Sequence, residues 1–265
     1  MNKKTNDNWT AGDLYEGYMG RWSRLAAQEF IQWLNVPKGG QWLDVGCGTG
    51  ALSQTILQLA EPGHIKGMDR SEGFVNFARE RVQDDRAHFE VGDAESLTDN
   101  TGSFDAAASG LVLNFIPHPE QTLAEMKRVT KPGGLIAVYV WDYAEGMQFI
   151  RHFFDAATAL DPKAAEHDEG PRFPICRPEA LRQLFEMTGL KDVEIRAIEI
   201  PTVFRNFDDY WNPFLAGVGP APSYTVSLNE EHRSELRERI RAGLPINADG
   251  SISLSARAWA AKGIS

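Results

Sequence analysis

The stretch Trp42 to Gly50, WLDVGCGTG, limits what this chain can fold into more than any other part. A short apolar run (Trp42, Leu43, Val45) leads into glycines at 46, 48 and 50, and a helical pattern follows at once. That is the handover from a buried strand to a helix through a turn with almost no side chains. Glycine serves there twice: it reaches backbone angles other residues avoid, and its missing Cβ lets a ligand rest on the main chain. The N–H groups opening the next helix point at whatever lies on that turn. The pattern predicts an α/β fold whose ligand sits beyond the carboxyl ends of the strands.

Gly46, Gly48 and Ala51 satisfy the G-x-G-x-x-G/A dinucleotide fingerprint, and Asp69 falls near the ~20-residue spacing of a ribose-binding acid. Alone, that spacing leaves an NAD(P)-dependent oxidoreductase open. Two features turn it away from nicotinamide. Asp44, two residues before the first glycine, would repel a pyrophosphate and attract a ligand ammonium. A second acidic turn, GDAESL (Gly92 to Leu97), follows the next strand.

In order and spacing, LDVGCGTG, MDRS (Met68 to Ser71), GDAESL and KPGG (Lys131 to Gly134) resemble the class I S-adenosylmethionine-dependent methyltransferases, in their small-molecule type 11 or 25 subgroup. The resemblance covers roughly residues 40–145. It implies a Rossmann-like seven-stranded sheet, mostly parallel with an antiparallel last strand, and S-adenosyl-L-methionine as cofactor with S-adenosyl-L-homocysteine as product. It also implies roles for single residues. Asp44, Gly46, Cys47 and Gly48 would floor the site, and Asp69 with Arg70 would meet the ribose. Asp93 would bond the adenine amine and the Ala94 N–H a ring nitrogen, while Leu111 opens the loop beside the transferable methyl group. Relatives fold an N-terminal segment over the cofactor. Here that segment offers Tyr15, Tyr18, Arg21, Trp22 and Arg24, and Arg21 or Arg24 would clamp the ligand carboxylate bidentately. The competing reading is a solvated arginine on a surface helix.

The chain is long enough, at 265 residues, for one domain with an elaborated lid. The expected layout is a core over about 40–145, 175–200 and 250–265, a cap from about 146–174 and 201–245, and an N-terminal lid over 9–35. A formal net charge of −10 argues against a nucleic-acid backbone as partner. Cys47 and Cys176 form neither a disulfide framework nor metal-ligand spacing, so no metal is expected. The start, MNKKTNDNW, lacks a signal-peptide core, and no run of ~18 apolar residues suggests a membrane span. These features predict a cytoplasmic protein with a small-molecule partner. Oligomeric state is not legible in them.

Along the chain, a helix is predicted from a Ser23 N-cap to Leu34, stopped by Pro37 and Gly39. Strands are predicted at His64–Met68, His88–Val91, Phe104–Ser109, Leu135–Val140, Lys191–Ile200 and Ile252–Ala261. The loop SGLVLNFIPHP lacks the Asn-Pro-Pro-Tyr signature of enzymes acting on nucleobase or glutamine nitrogens. Asn114 and Phe115 are candidate pocket residues there, and His118 reads as a cap or surface residue. Two insertions, 141–178 and 204–244, are too long for connectors and read as helical, aromatic cap insertions over the strand ends. Trp141, Tyr143, Phe153, Phe173, Tyr210, Trp211 and Phe214 are the candidate substrate walls, although any of them could hold the cap together. Methyl transfer needs a base only if the acceptor must lose a proton. Asp142 and His152 are the catalytic candidates, with Asp168 and Asp208 as further cap carboxylates. A member of the fold that binds the cofactor without methylating is a further alternative.

Overall fold

The structure is a computed structural model that describes residues 16–265; Tyr15 and the start of the expected lid lie outside the described residues. Seven strands form one sheet: β1 Gln41–Val45, β2 His64–Asp69, β3 Ala87–Val91, β4 Phe104–Gly110, β5 Thr130–Trp141, β6 Lys191–Phe204 and β7 Ile252–Ile264. Their order is β3-β2-β1-β4-β5-β7-β6, parallel from β3 through β5, with β7 antiparallel to both neighbours. The order reverses between β1 and β4, which is where an open α/β sheet leaves a crevice for a ligand.

Helices α1 (Arg21–Leu34), α2 (Ala51–Leu59), α3 (Glu72–Arg81) and α4 (Pro119–Val129) complete the core. Register puts Trp42 and Asp44 beside Ala106 and Ala108, and these beside Leu135 and Ala137, so Tyr139 and Trp141 share that face. Helix α1 covers it: Phe30 packs 4.5 Å from Tyr139, ring to ring, and Lys262 lies over Trp33 at 4.7 Å. Small residues in β4 leave room for this. A Cβ on Gly110 would stand 2.7 Å from the Tyr139 hydroxyl.

Several boundaries differ from expectation: β6 runs on to Phe204 and β7 to Ile264, and the starts of α1 and β5 shift as well. Helix α1 begins before Ser23, after a π-helical turn at Glu16–Gly20, and Ser23 donates to the Met19 carbonyl (3.1 Å) instead of capping. Burial of Tyr18, Met19 and Trp22 extends the helical path backwards. Strand β5 starts at Thr130, because Thr130 already pairs with Phe104 before a register irregularity.

The cap contains α5 (Gln148–Leu160), α6 (Glu169–Arg172), α8 (Phe207–Trp211), α9 (Pro220–Ser227) and α10 (Glu230–Gly243); α7 (Pro178–Met187) packs on β6 and β7. Its two insertions bury their apolar faces against each other. Phe153 stacks on Phe214 at 4.5 Å, Phe149 lies 4.8 Å from Phe214, and the Tyr210 hydroxyl donates to the Phe149 carbonyl (2.8 Å). Phe153, Tyr210, Trp211 and Phe214 are therefore buried in ring-to-ring packing continuous with the core and do not stand as pocket walls. Neither insertion could bury these rings alone, so they meet ring to ring.

Arg21 also departs from expectation. Its guanidinium grips both Asp209 carboxylate oxygens (3.3 Å each), donates to the Val203 carbonyl (3.2 Å) and lies over Trp22 and Phe204. It fastens α1 to the cap and is not available as a ligand clamp. Burial pushes the Asp209 carboxyl up, but bonds from Arg205 and Arg21 outweigh it and hold the group well below the usual range. Such a group adds stability above the ordinary carboxylate pKa and loses it as pH falls below. Asp209→Asn should cost roughly 1–2 kcal/mol at neutral pH. In urea titrations that gap should narrow as pH drops below about 4.

Candidate active site

The glycine turn joins β1 to α2 under tight constraint. Gly46 adopts φ +74°, and a Cβ there would fall 2.4 Å from Val112 Cγ1. Gly48 adopts φ +52°, yet nothing lies within 4 Å of where its Cβ would be. One glycine is needed for packing, and the other leaves an open face. The N–H groups of Gly46 and Cys47 both donate to the Met68 carbonyl (2.8 and 2.9 Å), tying the turn to β2. Burial pushes the Cys47 thiol well up, so it is an inert part of the floor.

Asp69 ends β2. Its Oδ2 accepts the Gly48 N–H (3.0 Å) and its Oδ1 the Ser71 N–H (2.8 Å), which leaves each oxygen a second lone pair. Burial raises its carboxyl, and these N–H bonds only partly offset that. Asp44 is fully buried. Ser53 donates to Oδ2 (2.6 Å), and Oδ1 has no partner among the described residues. Burial lifts its pKa to about 7, with Ser53 opposing and the Asp69 charge adding. Two carboxylates and an open glycine face thus meet at one point.

One strand further out, Asp93 is exposed and accepts the Glu95 N–H at Oδ1 (3.0 Å), while Ala94 is half-buried against the core. Arg70 stands exposed at the rim. On the other side, Leu111 donates to the Tyr139 carbonyl (2.8 Å) with φ +62°, a strained conformation for a branched residue. Strain of this kind clusters at functional sites. Its neighbour Val112 is the residue that crowds Gly46. Tyr18 is buried, 5.5 Å from Phe149 and 5.9 Å from Phe214, ring to ring. Arg24 is half-buried and donates to the Gly20 carbonyl (3.4 Å).

Above the ends of β4 and β5, Phe115 meets Phe173 edge-on at 5.1 Å, and Phe173 lies 5.9 Å from Tyr143. Trp141 and Asn114 are buried, and the indole N–H and both amide atoms have no hydrogen-bond partner among the described residues. Glu169 is buried near Tyr18 and pushes the Tyr18 hydroxyl up, after burial itself. Sequence reasoning missed Glu169. The stretch around it, DPKAAEHDEGPR, is rich in other charges, so nothing local marks this acid as the buried one.

The two catalytic candidates fall elsewhere. Asp142 accepts the Glu145 N–H (3.1 Å) and pairs with Arg257 (3.4 Å), on the sheet face opposite Trp141, next to a cleft lined by Arg177 and Trp259. It closes a turn. His152 shares the outer flank of α5 with exposed Asp155, while Phe149 and Phe153 take the buried side; burial lowers its pKa. Asp168 pairs with Arg151 and caps α6 through the Gly170 N–H (2.9 Å), and Asp208 pairs with Arg237 (3.0 Å). Among the described residues, no cluster of three His, Cys, Asp or Glu could hold a metal, and no helix is long and apolar enough to cross a membrane.

Asp44 has a pH consequence. Its carboxyl is raised in the fold, so the native state holds a proton that the unfolded chain releases between about pH 4 and pH 7, and stability falls as pH rises through that window. Asp44→Asn removes the dependence. Its melting temperature should exceed that of the parent at pH 8, with the difference shrinking toward pH 5 in thermal-shift scans.

Residues 43–138 match a family described as "Methyltransferase domain". The chain is 29% identical over 176 residues to the demethylmenaquinone methyltransferase of Staphylococcus aureus, covering 62% of this chain and 73% of that protein. Its fold is similar to that of phosphoethanolamine N-methyltransferase 2 from Haemonchus contortus, solved with phosphomonomethylethanolamine and S-adenosylhomocysteine (TM-score 0.62, 17% identity, 98% of this chain and 58% of that one). It is also similar to the YcgJ protein of Bacillus subtilis (TM-score 0.58, 18% identity, 91% and 97% covered). The cap lies outside the matched segment, which holds Asp44, Gly46, Gly48, Asp69 and Asp93 and is similar to methyltransferase domains.

Proposed function

We propose that this protein moves a methyl group from S-adenosyl-L-methionine to a small, largely apolar or aromatic molecule. The observation that carries the reading is the Oδ1 of buried Asp44, without a partner among the described residues, beside Asp69 and the open face of Gly48. A cationic amine answers the first, ribose hydroxyls answer the free lone pairs of the second, and a ligand backbone fits against the third. A pyrophosphate answers none of them, because two carboxylates would repel it. Asp93 and Ala94 stand one strand away, in reach of an adenine. Tyr18 and Arg24 close the N-terminal side.

The cofactor, when bound, supplies an activated methyl on a sulfonium, with a good leaving group already built in. What remains for the chain is alignment and exclusion of water. Holding reactants in near-attack geometry can be worth roughly 7–11 kcal/mol. The Leu111 turn and the Phe115, Phe173 and Tyr143 rings supply a fixed, apolar frame for the acceptor at the end of β4 and β5. Asp142 and His152 are held away from that frame, so we assign the chemistry to positioning and not to a general base. The named relatives act on demethylmenaquinone and on a phosphoethanolamine nitrogen, so the acceptor atom is decided by this chain's own cap. The acidic net charge favours a small molecule over nucleic acid.

S-adenosylhomocysteine at a hundredfold excess over its Kd should raise the melting temperature by roughly 5–10 °C, and NAD should not. Asp69→Ala and Gly48→Val should each weaken that binding at least about tenfold. Stabilisation by NAD alone would replace this reading with an oxidoreductase.

A further inference from the structure

Resting on the methyl-transfer reading, we propose that Asn114 and Trp141 form a hydrogen-bond clamp for an oxygen of the acceptor. The substrate is then a ring bearing a phenol or carbonyl oxygen, and a bare alkylammonium is disfavoured. Asn114 is 8% exposed and Trp141 2% exposed. Among the described residues, neither amide atom of Asn114 nor the indole N–H of Trp141 has a partner. A buried polar group left unpaired is costly, so two such side chains at one sheet edge mark a place that a ligand completes.

Their placement is shared. The Leu111 N–H bond to the Tyr139 carbonyl is the last rung between β4 and its neighbour. Asn114 lies three residues beyond that rung on one chain segment, and Trp141 two residues beyond it on the other. The one-turn helix carrying Asn114 (Leu113–Phe115) packs on β5. Phe115, Phe173 and Tyr143 supply flat walls around the same edge.

The chemistry of the pair selects the ligand. An indole N–H only donates, and a carboxamide offers two N–H groups against one carbonyl. Donors outnumber acceptors, so the ligand must bring lone pairs. A phenol or carbonyl oxygen brings them. An ammonium brings only N–H groups and would leave the indole unpaired. Aromatic walls do attract cations, so the two ligand chemistries must be compared directly.

The test uses the full-length protein saturated with S-adenosylhomocysteine and titrated calorimetrically with 2-naphthol or with 2-naphthylmethylamine, which is an ammonium at pH 7. We expect 2-naphthol to bind at least about tenfold tighter. Asn114→Leu and Trp141→Phe should each lose about tenfold in 2-naphthol affinity with S-adenosylhomocysteine affinity unchanged. Trp141→Phe keeps the packing and decides the matter where Asn114→Leu is unstable. Absence of 2-naphthol binding, equal or tighter binding of the amine, unaltered 2-naphthol affinity in the variants, or an equal loss of S-adenosylhomocysteine would each overturn the clamp. Failure of the parent protein to bind S-adenosylhomocysteine is a separate result and refutes the cofactor reading itself.

Discussion

One carboxylate fixes the geometry on which the rest is built. Asp69 takes the Gly48 N–H on one oxygen and the Ser71 N–H on the other. A flexible glycine turn and the start of the next helix are thereby locked to the end of β2. The turn is held from below as well, by two N–H groups on the Met68 carbonyl. Charged acceptors make stronger and shorter bonds than neutral ones. Asp69 is thus both the scaffold of the floor and a group with lone pairs left for a ligand. Because Asp44 is buried close by, two carboxyl groups share the floor, each raised by burial.

The cap obeys a different logic. It is held by rings and by a few long-range ion pairs between its helices and the rest of the chain. Phe149, Phe153, Tyr210 and Phe214 form one interlocked cluster, and Tyr18 from the segment before α1 joins it. Arg21 adds a polar tie from the same segment to Asp209. The site is therefore framed by two bodies of unlike chemistry, an acidic floor and an apolar roof. A sulfonium cofactor with a largely apolar acceptor suits that division.

Much of the floor was legible in the sequence because its determinants are local. A strand, a glycine turn and an acid at the next strand's end recur at fixed spacing, so β1, β2, Asp44, Gly46, Gly48 and Asp69 could be placed from the residues alone. The cap was not legible, because its partners are distant. Arg21 meets a carboxylate 188 residues away, and Asp142 meets an arginine 115 residues away. Nothing in the neighbourhood of either residue announces the other. The aromatic residues of the insertions carried the right composition for a pocket, but composition does not say which rings face inward. Phe173 and Tyr143 keep contact with the β4 loop, whereas Phe153 and Phe214 turn toward each other. Glu169 was hidden for the same reason: its burial is decided by how α6 packs on the segment after β5.

Strand order has a consequence for how the molecule is made. β7 is the last strand to be synthesised, yet it lies between β5 and β6 and pairs with both. Until it emerges from the ribosome, β5 and β6 each present an unpaired backbone edge, and such edges invite pairing with other chains. The cap segments that follow β6 are already exposed by then, and their aromatic side chains have no sheet to settle against. Insertion of β7 therefore closes two edges at once, and nascent chains stalled before Ile252 are the species most dependent on chaperones.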